Sequence, residues 1–229
     1  MEIRKDNAHS VIDDLKNYLV DEHKADRSEY NYMKKNTSTK AKKSTGTLED
    51  FRNKIKNCKK CELCSTRTQF VFGEGDPRAR LVFVGEAPGK DEDLQGRPFV
   101  GKAGDLLTKM ITAMQFTREQ VYIANIVKCR PPKNRNPLPE EAAACLPYLQ
   151  RQIELIQPKV IVILGAVPLK YLLNKTGITR LRGQWDSYNG IKVMPTFHPA
   201  YLLRDPKAKG VTWSDLQQVM KLFGKVHKK

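Results

Sequence analysis

The sequence predicts an α/β fold, a three-layer sandwich with a central, mainly four-stranded parallel sheet flanked by helices. Three observations predict it. Four short segments of the chain are apolar and β-branched. Each is followed by a longer stretch with helical periodicity. And the two kinds alternate in strict order, which is the pattern of a parallel sheet covered by helices on both sides.

The strands are RLVFVG (80–85), VYIANIV (121–127), VIVILG (160–165) and IKVMPTF (191–197). Continuous apolar runs of this kind suit strands buried on both faces. Helical patterns occupy 103–115, 139–156 and 166–174, and 212–226 closes the chain as a helix. Upstream, Val11, Ile12, Leu15, Tyr18 and Leu19 recur at helical spacing, so 8–25 reads as an amphipathic helix. The stretch 34–47 is rich in Lys, Ser and Thr and reads as a flexible linker. The expected organisation is therefore an extension over 1–46 and one domain over 47–229. In a parallel sheet, ligands bind at the carboxyl ends of the strands. GEAPG follows the first strand, Asn125 lies in the second, and His198 stands just after the fourth. These three converge on one end of the sheet.

Of the 229 residues, 41 are basic and 25 acidic, a net charge of +16. Residues 47–229 carry 31 basic and 17 acidic side chains, so +14 of that excess belongs to the main body. Such a surface favours a polyanionic partner. The segment KCRPPKNR (128–135) has four basic residues and no acid. Mean hydropathy is −0.56. No apolar run reaches the ~18–20 residues of a membrane span, so no membrane partner is expected. The first residues lack the apolar core of a secretory signal, and a cytoplasmic location is expected.

Five cysteines in a reducing compartment point to metal ligands or free thiols rather than disulfides. Cys58, Cys61 and Cys64 form overlapping C-x-x-C pairs, and Cys129 and Cys145 follow. Four thiolates can hold zinc or an iron–sulfur cluster, and the spacing leaves both open.

The C-x-x-C pair, FGEGDPRARLVFVGEAPGKDEDLQGRPFVGKAG, NIVKCRPPKNRNP, the later cysteine and FHPAYLLR occur in that order. Together they resemble the family 4, iron–sulfur uracil-DNA glycosylases, from about residue 50 to the C-terminus. The resemblance implies the sandwich fold and a structural 4Fe–4S cluster on Cys58, Cys61, Cys129 and Cys145, with Cys64 the extra cysteine. It also implies a DNA-repair hydrolase that removes uracil from single- or double-stranded DNA. The alternatives are a non-catalytic nucleic-acid-binding iron–sulfur protein, or an electron carrier.

Each chemical requirement of that reaction has a candidate residue. A base in a duplex must be flipped into a pocket before its glycosidic bond can be reached. Phe99 would stack on uracil. Asn125 offers a donor and an acceptor for the O4 and N3–H edge. His198 would donate to uracil O2 as charge builds on the departing base. Glu86 would orient or activate the attacking water. Glu92 is a second carboxylate that would help position water or hold the loop. Ala87 and the backbone of 85–89 would complete the pocket. Leu202 resembles the wedge that fills the hole left by the flipped base, and Arg204, Lys128, Arg130, Lys133 and Arg135 are expected DNA contacts. No lysine stands in a motif position for a Schiff base, so an abasic site with an intact strand is expected. A monomer is expected, and residues 1–46 would dock on the body, bind a protein partner or be disordered.

Overall fold

The computed structural model describes residues 46–226, and the expected helix at 8–25 and most of the linker lie outside them. The chain divides into two units, Met1–Ser44 and Thr45–Lys229, and the described residues all belong to the second.

A six-stranded mixed sheet forms in the order β1-β3-β2-β4-β6-β5. Its centre is the expected four-stranded parallel set: β2 (Leu81–Gly85), β3 (Tyr122–Asn125), β4 (Val160–Leu164) and β6 (Ile191–Thr196). Every residue of β2, β3 and β4 is buried. The two edges were not expected. β1 (Glu74–Gly75) pairs antiparallel with β3, and β5 (Asp186–Tyr188) pairs antiparallel with β6. Both are very short and only partly buried, so they carry no apolar run to read.

The helices are α1 (Leu48–Ile55), α2 (Leu63–Thr66), α3 (Lys90–Gln95), α4 (Lys102–Ala113), α5 (Pro139–Ile156), α6 (Ala166–Leu173), α7 (Ile178–Leu181), α8 (Pro199–Arg204) and α9 (Lys209–Leu222). The predicted span of α5 matches, because its start is written locally. Pro139 opens the helix and Glu141 turns back to accept the Leu138 N–H at 2.7 Å. The last helix begins three residues before the predicted start and ends four before the predicted end. Beyond it Phe223 leaves the helical path to meet Phe116 edge-on at 5.3 Å.

Alternation along the strands divides the core between two layers of helices. Leu81, Phe83, Ile123, Val160, Val162 and Met194 face Leu107, Met110 and Ile111 of α4 and Leu216, Val219 and Met220 of α9. Tyr122 faces the other way, and its hydroxyl meets Gln152 of α5 at 3.0 Å. Burying a full Leu, Ile or Phe side chain is worth about 1.5–3 kcal/mol, so these two layers fix the sheet that carries the site.

Candidate active site

The carboxyl ends of the parallel strands open into a cavity of about 460 Å³. That size falls within the usual range for a small-molecule site. Glu86, Ala87, Phe99, Asn125, His198 and Arg204 all line it. The sheet register explains the convergence. Gly85 and Asn125 are paired positions on β2 and β3, and His198 stands two residues beyond the end of β6.

Asn125 is 2% exposed, and its Oδ1 is buried with no hydrogen-bond partner among the described residues. An unpaired buried acceptor costs about 1–3 kcal/mol, so one lining a cavity marks a place where a ligand donor belongs. Gly85 makes the room. A Cβ there would fall 2.5 Å from Asn125 Oδ1 and 2.5 Å from Phe99 Cζ. Gly85→Ala is therefore expected to lower kcat/KM by about 10²-fold through displacement of both groups, with the circular dichroism of the fold unchanged.

His198 caps α8. Its Nδ1 accepts the Ala200 N–H at 3.1 Å, so in the neutral ring the proton sits on Nε2. Burial pushes its pKa down to about 4, helped by the nearby Arg204 charge. The ring is thus a neutral donor at physiological pH. It lies 5.6 Å from Phe99, ring centre to ring centre. The Glu86 carboxylate has no hydrogen-bond donor or cation as partner among the described residues, and burial raises its pKa.

Glu92 is differently placed. Its Oε2 accepts the Gly89 N–H at 3.0 Å, and its Oε1 accepts those of Val100 and Gly101 at 2.9 and 3.0 Å. Both oxygens are engaged in tying the GEAPG loop to the Phe99 loop. Of the two roles expected for it, the geometry favours holding the loop.

Three expectations are corrected by placement. Lys128 is fully buried, its Nζ donating to Asn125 O at 2.9 Å and Gln152 Oε1 at 2.6 Å, so it supports the site from beneath and does not reach DNA. Leu202 is 1% exposed and packs in the core, because the first turn of α8 rotates it inward. The exposed apolar side chains of that helix are Tyr201 and Leu203, at 36% and 45%. The third correction is the cofactor. Among the described residues no group of three or more His, Cys, Asp or Glu is arranged to hold a metal ion. All five cysteines are free, although they border one small cavity. For three of them burial favours the neutral thiol, raising Cys61 and Cys129 and pushing Cys145 up to about 12. Arg67 donates to Cys129 Sγ at 3.1 Å and Tyr148 to Cys58 Sγ at 3.2 Å. The 4Fe–4S expectation is not supported by this arrangement.

The remaining basic residues sit at or near the mouth. Arg135 is held by a two-pronged ion pair with the buried Glu141, at 2.7 and 2.8 Å. Arg130 donates to Asn134 at 2.7 Å, and Lys133 is exposed on the same loop.

A mixed α/β sheet with a cavity at its carboxyl ends, holding an orphan amide oxygen and a neutral imidazole donor, defines an α/β protein with a binding site for a small polar ligand. Comparison with known proteins narrows the class. The uracil DNA glycosylase superfamily model matches residues 72–217. The type-4 uracil-DNA glycosylase of Sulfurisphaera tokodaii is 47% identical over 77% of this chain and 84% of that protein. That of Thermotoga maritima is 52% identical over 69% of this chain and 84% of its own length. That of Archaeoglobus fulgidus is 44% identical over 78% and 94%. The chain belongs to the type-4 uracil-DNA glycosylases, a hydrolytic class of DNA-repair enzyme. Among the described residues no helix is long and apolar enough to cross a membrane.

Proposed function

We propose that this chain removes uracil from DNA by hydrolysing the bond between uracil N1 and deoxyribose C1′, leaving an abasic site in an uncut strand. The observation that carries the reading is the orphan Asn125 Oδ1 at the wall of the cavity. Uracil presents N3–H there and O4 beside it, which an amide pairs on both atoms. Cytosine presents an acceptor and a donor in the reverse order, and a buried site rejects it through unpaired polar groups.

The other groups have matching roles. Phe99 stacks on the flipped base. His198 Nε2–H donates to uracil O2 as the C1′–N1 bond breaks and the electron pair moves onto the base. Glu86 takes a proton from the water whose oxygen bonds to C1′, and its charge favours the cationic sugar. Arg204, Arg130, Lys133 and Arg135 hold phosphates around the mouth. Tyr201 and Leu203 replace Leu202 as the side chains that would enter the duplex, since they are the exposed ones. Residues 47–229 form the catalytic domain and work as a monomer in the cytoplasm, and residues 1–46 are an extension available to a protein partner.

Oligonucleotides bearing one uracil, cytosine or thymine test this. Alkali should break only the uracil strand after incubation with the protein, and intact uracil strands would refute it. The pH profile tests the acid–base assignment. Glu86 acts as carboxylate, and burial raises its pKa, so the acid limb of kcat/KM should lie above the ordinary carboxylate range of about 4. Rate should rise as pH increases through that limb, and Glu86→Gln should abolish the limb. His198 is protonated only near pH 4, so it adds no second limb at neutral pH.

A further inference from the structure

Phe99 has a left-handed backbone, φ 53°, a conformation rarely kept by a bulky side chain without external support. The support comes through the amides and the carbonyls of the loop around it. On the amide side, Glu92 accepts the N–H groups of Val100 and Gly101. On the carbonyl side stands Arg118, from the 3₁₀ turn before β3. Its Nη1 donates to Phe99 O at 3.1 Å and its Nη2 to Pro98 O at 2.8 Å. The same guanidinium reaches Thr108 Oγ1 of α4 at 3.1 Å. Glu74 of β1 faces its Nε at 3.7 Å and also grips Arg97 through both oxygens, at 2.7 and 2.8 Å. The Arg118 side chain is only 13% exposed. Behind the loop, α4 presses close. A Cβ on Gly104 would fall 2.0 Å from the Phe99 carbonyl.

We propose that Arg118 is a positioning residue for the base pocket: with Glu74 as its anchor, it fixes the two carbonyls before Val100 and so holds the Phe99 ring over the base. A planar guanidinium with forked donors can span two adjacent carbonyls, which a lysine ammonium does less well. The carboxylate of Glu74 keeps the fork oriented. The inference rests on the proposed uracil chemistry for what the ring faces, but not for the state of the loop.

A double-mutant cycle separates positioning from mere stability. Arg118→Met should lower kcat/KM on a uracil oligonucleotide by on the order of 30-fold, and Arg118→Lys by less. In a Phe99→Ala background, Arg118→Met should cost under about 3-fold, since the ring it holds is gone. Equal losses in both backgrounds would overturn the proposal. Hydrogen–deuterium exchange supplies the arm independent of activity. In Arg118→Met the amides of residues 99–101 should exchange faster while the central strands stay protected. Unchanged exchange there, or general loss of protection, would also overturn it. A wild-type enzyme that released no uracil would defeat the functional reading, and the exchange arm would still decide the loop.

Discussion

Asn125→Leu is expected to lower kcat/KM for uracil excision by on the order of 10⁴-fold with the fold intact. Leucine fills nearly the same volume, and Lys128 holds the backbone carbonyl of this residue rather than its side chain, so the support beneath survives. What is lost is both hydrogen bonds to the base. Uracil N3–H and O4 would then be buried without partners, and each such group costs about 1–3 kcal/mol. The loss should fall mainly on binding, with KM raised far more than kcat is lowered, because the pairing holds in the ground state and at the transition state alike. Single-turnover kinetics on one uracil oligonucleotide, with thermal unfolding as the control for folding, reads the result.

His198→Ala is expected to lower kcat by about 10²–10³-fold with little change in KM. The ring contributes most when charge has moved onto the leaving base, so the loss belongs to the transition state. Because Nδ1 is committed to the Ala200 N–H, only Nε2–H is available to donate. The neutral ring suits this role over a wide pH range, since burial holds its pKa near 4. A substrate whose leaving base is the more stable anion should feel the substitution less. Steady-state rates on uracil and on 5-fluorouracil, whose anion forms more easily, make that comparison.

The centre of the fold was legible because its signal is local. LVFVG, YIAN and VIVIL are buried along their whole length, so their sequence is apolar throughout. The edges were not legible. Asp186–Tyr188 gains its strand only by pairing with Ser187 opposite Lys192, an arrangement that alternation of apolar residues does not encode. At the site, the motifs named Phe99, Asn125 and His198; the strands bring Asn125 and His198 to one cavity, and the loop held by Glu92 and Arg118 brings Phe99 there. A motif position does not say which way a side chain faces. Leu202 and Lys128 hold motif positions, yet both point into the protein. Helical phase could have flagged Leu202, since Tyr201 and Leu203 on either side of it take the solvent. The cysteine pattern named a cluster that the geometry of the described residues does not support.

Two features went unread for a different reason. Gly85 stands in the GEAPG segment whose backbone the sequence assigns to the pocket, but its missing side chain matters through atoms on β3 and on the Phe99 loop, which no local motif records. Arg118 acts on carbonyls 19 and 20 residues upstream in the chain and is anchored by Glu74 of β1. No short sequence window contains both ends of such a contact. Buried Gln152, which links Lys128 of the loop to Tyr122 of β3, is hidden in the same way.

The central claim is that the orphan oxygen of Asn125 reads uracil N3–H. Inhibition by free bases tests it most directly, because no DNA contact contributes. Uracil should inhibit excision, while 3-methyluracil, which lacks that hydrogen, should be weaker by on the order of 10²-fold or more. Equal inhibition by the two bases would contradict the account.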